Sequence, residues 1–264
     1  MLTFYKPKNQ ILATYIEGYY FLRNNEKDFS LSYYTFPNNF QIVSCAAHVD
    51  IALKENQLIS KHNKTKKFIS TFTYNYFTPI QIDYYGKINE ITIYFKPLGL
   101  NHFVSNLEKY HKKENFISFL PFLDFQYEMQ KILSIDDIEE SRDRLEKYWI
   151  GKLLEINVLS IYQIITMMDV MNIGEISDKL KISRQYLYKT FKAYTGKSPV
   201  EFKRIQRFRN ALEFPQASLT ETGLQNLFYD QSHFIKEVQK FTNILPKVLF
   251  KNVKYKTANP WLII

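Results

Sequence analysis

Two stretches near the end of the chain repeat one another. SRQYLYK at 183–189 aligns with DQSHFIK at 230–236, an offset of 47, and AYTGKSP at 193–199 aligns at the same offset with KFTNILP at 240–246. Upstream the offset is 46, so Tyr229 is one extra residue in the second turn. A recurring order of helix cap, helix and Thr-x-x-x-Pro exit demands two similar units joined by one connecting segment. The last two-fifths of the chain can then be little other than all-α.

The first copy carries its punctuation openly. Ile176, Leu180 and Ile182 are apolar, with small Ser177 where two helices must approach closely. Ser183 is a good N-cap. The next helix turns Leu187 and Phe191 inward at i, i+4, leaving Arg184, Gln185, Tyr188, Lys189 and Lys192 outside. Gly196 stands where a C-cap belongs, and Ser198-Pro199 supplies N-cap and N1 of another helix. That helix runs through Phe202, Ile205, Phe208 and Leu212 and stops before Pro215. A short helix, a tight turn and a second helix with a polar face make a helix-turn-helix. The spacing places such units at about 173–195 and 219–242.

ISRQYLYKTFKAYTGKSP, then RIQRFRNALE, then FYDQSHFIKEVQKFTNILP resembles the AraC/XylS family of bacterial transcription regulators, in the family's order, over about 160–252. The resemblance implies a seven-helix DNA-binding domain whose two recognition helices enter adjacent major-groove segments. The chain departs from the family pattern where Leu227 replaces the usual Gly of the second turn. Asn243 and Leu245 likewise replace Gly and Ser in the second exit. A left-handed backbone at a Leu costs about 1 kcal/mol, unless Asn226 takes that role.

By alignment with the family, base-edge candidates are Gln185, Tyr188 and Lys189 with Arg184 close by, then Ser232, His233 and Lys236 flanked by Gln231. Gln pairs bidentately with adenine, and Lys or Arg donates to guanine. Backbone candidates are Ser183, Lys192, Lys197, Arg204, Arg207 and Tyr229, together with N–H groups at helix starts. Lys192 and Lys197 read equally as solvated surface, Arg207 as a tie between helices, and His233 as a packing residue. Leu187, Phe191, Phe234 and Phe241 read as core.

The charge agrees with a polyanion partner for this part of the chain. Of the net +9, residues 1–157 hold 19 basic and 18 acidic side chains, while residues 158–264 hold 16 and 8.

Residues 1–100 read as β-rich. LSYYTF, FQIVSCAAHV, FISTFTYNYF, IQIDYY and EITIYF are short runs of β-branched and aromatic residues, several apolar on both faces. Gly86-Lys87 fits a hairpin turn, and ILATYIEGYYFL fits helix or strand. From about 98 the pattern turns helical: Leu100, Phe103, Val104 and Leu107 form one stripe, and SIDDIEESRDRLEKYWIGKLLE reads as an exposed helix with Glu140 and Arg144 at i, i+4. The fold class expected is α+β, with a β-rich sensor-like domain over 1–100 and a helical connector or dimerisation segment over 101–157. An all-α domain with two helix-turn-helix units follows over 158–264, and no low-complexity linker separates the halves. The resemblance implies an N-terminal domain for a small-molecule effector, for dimerisation, or both, and IYFKPLGLNHFV at 93–104 looks like the F-x-P-x-G-L region of some members. The abundant Tyr and Phe suit an apolar pocket as well as a plain core.

Other functions find little support. Four of the five histidines, His48, His62, His102 and His111, form no H-x-H pair, and the single Cys45 in VSCAAHV excludes a disulfide and reads as a buried thiol. There is no G-x-S-x-G, P-loop or G-x-G-x-x-G. No catalytic residue, metal or cofactor is implied. No apolar run reaches the ~18–20 residues of a membrane span. The expectation is a cytoplasmic, sequence-specific DNA-binding transcription regulator, with double-stranded DNA as partner and a homodimer as a candidate assembly. The alternative is a sensor or protein-interaction module that has lost sequence-specific DNA binding.

Overall fold

The computed structural model describes residues 3–54, 56–156, 159–213, 231–252 and 262–263. Strands β1 (Thr3–Tyr5), β2 (Ile16–Asn24), β3 (Ser30–Thr35), β4 (Gln41–Ala46), β5 (Val49–Lys54), β6 (Gln57–His62), β7 (Ile69–Thr73), β8 (Ile80–Tyr85), β9 (Ile88–Phe95), β10 (Ile117–Ser118) and β11 (Leu262–Ile263) form two sheets. Their orders are β1-β2-β9-β4-β7-β10 and β11-β3-β8-β6-β5, antiparallel except for the β6–β8 pair. Helix α1 (Gln10–Tyr15) precedes β2; α2 (Phe125–Leu133) and α3 (Ile138–Ile150) follow β10.

Strand alternation explains the runs that were apolar on both faces. Tyr20, Leu22 and Tyr94 point between the sheets and meet Tyr33, Leu58, Ile82 and Tyr84. Their neighbours Tyr19, Phe21, Ile93 and Phe95 point the other way, under α2 and α3, where they meet Phe125, Met129, Leu145 and Trp149. The six-stranded sheet is thus buried on both sides. Helices α2 and α3, within the 101–157 segment, pack on this sheet. Buried Glu146 of α3 accepts from the Tyr19 hydroxyl (2.5 Å) and from the backbone N–H groups of Lys8 and Asn9 (2.9 and 2.8 Å). The expected Glu140–Arg144 pair is present at 3.3 Å.

Several local expectations change. ILATYIEGYYFL is helix and strand in turn: Asn9 caps α1 through the Ile11 and Leu12 N–H groups, and β2 follows at once. Gly86-Lys87 closes no hairpin, because β8 and β9 lie in different sheets; Gly86, at φ 79°, turns the chain from one sheet to the other. Leu100, Phe103, Val104 and Leu107 are all buried, but on two 3-10 turns, Leu100–His102 and Leu107–Tyr110, rather than an α-helix. Periodicity fixed which side chains go inside, not the hydrogen bonding between them. The described part of the junction, residues 151–156, is not helical.

The C-terminal region holds α4 (Leu159–Met167), α5 (Ile173–Leu180), α6 (Arg184–Thr195), α7 (Pro199–Glu213), α8 (Gln231–Thr242) and α9 (Pro246–Asn252). It is not helical throughout: β11 returns to pair with β3, Leu262 opposite Thr35 and Ile263 opposite Tyr34. Among the described residues no helix is long and apolar enough to cross a membrane.

Candidate nucleic-acid interface

Local chemistry builds the first helix-turn-helix. Asn172 and Glu175 form a reciprocal capping box at the start of α5. The helix ends on Lys181 in the left-handed region (φ 53°), and the Ile182 N–H reaches back to the Ser177 carbonyl (3.1 Å). Ser183 caps α6 by accepting from the Tyr186 N–H (3.1 Å). Buried Ile176, Ser177, Leu187 and Phe191 hold the two helices together.

That packing leaves Arg184, Gln185, Tyr188, Lys189 and Lys192 exposed on α6, as the spacing predicted. Arg184 leans back on α5: a Cβ added at Gly174 would lie 2.6 Å from its guanidinium. Tyr186, which the sequence reading passed over, is exposed on the same helix.

The exit turn recurs in both units. Thr195 Oγ1 lies 2.9 Å from the Phe191 carbonyl and accepts from the Lys197 N–H; Thr242 Oγ1 lies 2.8 Å from the Val238 carbonyl and accepts from the Ile244 N–H. Gly196 (φ 75°) and Asn243 (φ 57°) take the left-handed position between them. Pro199 and Pro246 then start α7 and α9. Ser198 and Glu201 add a reciprocal cap to α7 (2.8 and 3.3 Å), a device that Leu245 cannot supply.

On α8, Ser232 and Lys236 are exposed, and Phe234, Val238 and Phe241 are buried. Gln231 and His233 lie in its first turn. Leu227, Asn226, Tyr229 and the first helix of the second unit fall outside the described residues.

Two backbone candidates are occupied elsewhere. Lys197 is 1 % exposed, with its ammonium against the Tyr74 carbonyl, and burial pushes its pKa down to about 7. Arg204 forms a bidentate pair with Glu237 of α8 (Nε–Oε2 3.0 Å, Nη2–Oε1 2.6 Å). The buried Lys197 ammonium does not face outward for a phosphate, and the partly exposed Arg204 guanidinium is engaged by Glu237. Sequence spacing put Lys197 in the exit turn and Arg204 on the connecting helix; it could not show which neighbours would cover them. Arg207 is half-buried beside this pair, and burial lowers its pKa, in keeping with its reading as a tie. Among the backbone candidates whose side chains are described, Ser183 and Lys192 stay exposed.

The connecting helix α7 is tied to both units. Lys203 donates to the Met171 carbonyl (2.8 Å) and Gln206 to Asp169 (2.9 Å) on the first side, and Arg204 holds α8 on the other. It is also tied to the β-rich half. Arg209 donates to the Phe36 and Pro37 carbonyls (2.5 and 2.8 Å), and Asn39 donates to the Phe202 carbonyl (3.0 Å).

Each unit's core takes a buried side chain from the β-rich half, and the second also has partly buried Phe77 packed against it. Leu98, fully buried, packs with Ile164, Ile176, Leu187, Phe191 and Phe202 of the first unit. Phe36, 1 % exposed, packs with Ile205, Phe208, Phe234 and Phe241 around the second. Leu98 lies in FKPLGL and has φ 65°; a Cβ on adjacent Gly99 would fall 2.1 Å from the Tyr15 carbonyl. The motif is a turn that aims Leu98 across the seam. No local signal marks Phe36, Tyr74 or Arg209.

Residues 176–252 match the family described as Helix-turn-helix domain. The match spans α6, α7, α8 and the paired exits. Residues 176–252 are a helix-turn-helix domain of the AraC type. The AraC-type domain is a DNA-binding module of transcription regulators. No curated protein matches the chain. Solved structures of ToxT from Vibrio cholerae are similar at low identity. An unsaturated fatty acid-bound wild-type form has a TM-score of 0.45 at 13 % identity, covering 87 % of this chain and 94 % of that one. A 1.65 Å form gives 0.42 at 12 % identity, covering 88 % and 98 %. A form bound to (E)-4-(8-methylnaphthalen-1-yl)but-3-enoic acid gives 0.39 at 13 %, covering 88 % and 98 %.

Proposed function

We propose that the chain is a sequence-specific DNA-binding transcription regulator that lays α6 and α8 in adjacent major-groove segments under the control of a ligand or partner at residues 1–157. One observation carries this reading: the AraC-type domain turns a polar face outward at α6, with Gln185, Tyr188 and Lys189 exposed, while Leu187 and Phe191 hold the helix from behind. Gln185 matches an adenine edge and Lys189 a guanine edge. Ser232 and Lys236 occupy the corresponding positions of α8, with Gln231 and His233 beside them. Ser183, Lys192, Arg207 and Tyr229 would position the duplex through phosphates.

The test is selection of bound sequences from a random duplex library by the full-length protein at ~150 mM salt, since phosphate binding falls steeply with salt. Two enriched boxes about one helical turn apart are expected. A library that emerges without enrichment, with or without added effectors, refutes sequence-specific binding.

A further inference from the structure

The space between the two sheets of the β-rich half has an unusual lining. It is a cavity of about 50 Å³ whose walls include Tyr20, Tyr33, Tyr84 and Tyr94 and the hydroxyl residues Ser44, Thr73 and Thr92. One ionisable acid, Glu90, is buried in the wall, and no Lys, Arg or His lines the cavity. The guanidinium of Arg209 is held outside it by the Phe36 and Pro37 carbonyls.

Donor counting shows where Glu90 has room. Tyr20 (3.1 Å), Thr92 (2.8 Å) and Tyr84 (2.9 Å) all approach Oε1. Oε2 meets only the same Tyr84 hydroxyl, at 3.0 Å. A phenol has one proton, so Tyr84 serves one of these oxygens at a time. A carboxylate offers about four acceptor sites. Three hydroxyl protons therefore leave Oε2 with unused capacity in a place where an uncompensated charge is costly.

We infer that this cavity binds a small organic ammonium ion, with its N–H groups on Glu90 Oε2 and its charge against the tyrosine rings. The inference rests on the effector role proposed for residues 1–157 and gives that effector a chemical class. Three features select it. A carboxylate with no Lys, Arg or His in the cavity wall complements a cation and repels an anion. Tyrosine rings attract ammonium groups, as in aromatic cages. At roughly 10–15 Å³ per water-sized occupant, the space takes about three to five non-hydrogen atoms, too few for a sugar, a nucleotide or a long acyl chain. Ser44, 2.8 Å from the Thr92 hydroxyl, offers its own hydroxyl for a polar substituent.

The test uses the full-length protein without DNA, so ligand binding and DNA binding can fail separately. Ethylammonium chloride and sodium formate, whose organic ions have three non-hydrogen atoms each, are titrated at equal ionic strength, with tyrosine fluorescence and thermal melting as readouts. A saturable rise in melting temperature with ethylammonium and none with formate is expected. Glu90→Gln keeps the shape and removes the charge, and should weaken ethylammonium binding about 10–100-fold, the worth of a charge-assisted hydrogen bond. Should that variant fail to fold, Thr73→Leu fills the cavity without touching the carboxylate and should also abolish the ethylammonium response. Equal responses to both salts, no response to either, or undiminished binding in a folded Glu90→Gln protein would overturn the inference.

Discussion

The two copies of the helix-turn-helix share a repeated exit but are anchored differently. The first unit has a capped α6, a glycine in its left-handed turn and the Ser198–Glu201 cap on its exit helix. The second keeps the threonine of the exit but puts Asn243 where glycine was and Leu245 where serine was. Both borrow a core side chain from the β-rich half, Leu98 in one and Phe36 in the other. The first can therefore lean on its own caps. The second depends more on what packs against it, through Phe36 and the Arg204–Glu237 pair.

The largest effects should come from the borrowed side chains. Phe36→Ala should cost about 3–5 kcal/mol and Leu98→Ala about 2–5 kcal/mol of stability by urea unfolding. Footprinting should separate them: Phe36→Ala loses protection at the box read by α8, and Leu98→Ala at the box read by α6. Identical footprints in both variants would dissolve the distinction between the anchors.

Gly196→Ala comes next. It strains a left-handed turn by about 1–2 kcal/mol, and its Cβ would fall 2.2 Å from the Tyr74 ring, adding an overpacking cost of about 1–3 kcal/mol. Asn243→Ala, in the open copy of the turn, should pay only the first part. Chemical denaturation of the two variants side by side measures the difference.

Lys197→Met probes the same seam through pH. Burial lowers the Lys197 pKa from 10.5 to about 7. Between those values the unfolded chain binds more proton than the folded one, so stability climbs with pH across that window. Below about 7 the full cost of burying the ammonium applies. The methionine variant should be more stable than its parent by about 1–4 kcal/mol at pH 6, and the gap should shrink by pH 9. Parallel stability curves from pH 6 to 9 would rule out a buried, titrating Lys197.

Gln185→Ala and Lys189→Ala should each weaken binding to the selected operator by about 1–3 kcal/mol, with stability unchanged; fluorescence anisotropy at fixed salt reads it. Unaltered affinity in both would remove α6 as the reading helix. The smallest expected effect is a gain. Leu245→Ser installs the cap that the second exit lacks, worth about 1 kcal/mol, whereas Ser198→Ala should lose a similar amount from the first. Melting temperatures moving in the same direction would break the comparison.

What was legible in the sequence was what is local. Ser183, Gly196, Ser198-Pro199 and the threonine exits act within a few residues of themselves, so their spacing announced the helices and the repeat. The inward set Leu187, Phe191, Phe202, Ile205 and Phe208 followed from helical period alone. Contacts made across long separations stayed hidden. Nothing near Gly86 tells that β8 and β9 part into different sheets. A periodic stripe at 100–107 fits an α-helix and two tight turns equally well, since both bury the same side chains. Lys197 and Arg204 have the sequence neighbours of surface cations; their partners, Tyr74 and Glu237, lie 123 and 33 residues away. Leu98 stood inside a segment the sequence did single out, but its direction depends on a left-handed turn that a leucine seldom adopts.

Leu98 and Phe36 also set a rule for building hybrids. A graft that cuts near residue 157 and joins residues 158–264 to a foreign sensor would leave two holes, one in each helix-turn-helix core, and strand the Lys197 ammonium without the Tyr74 carbonyl. The transplantable unit is discontinuous. It must carry the 36–39 loop, the Tyr74 strand end and the FKPLGL turn along with the helices, or the new host must present equivalents at the same three points.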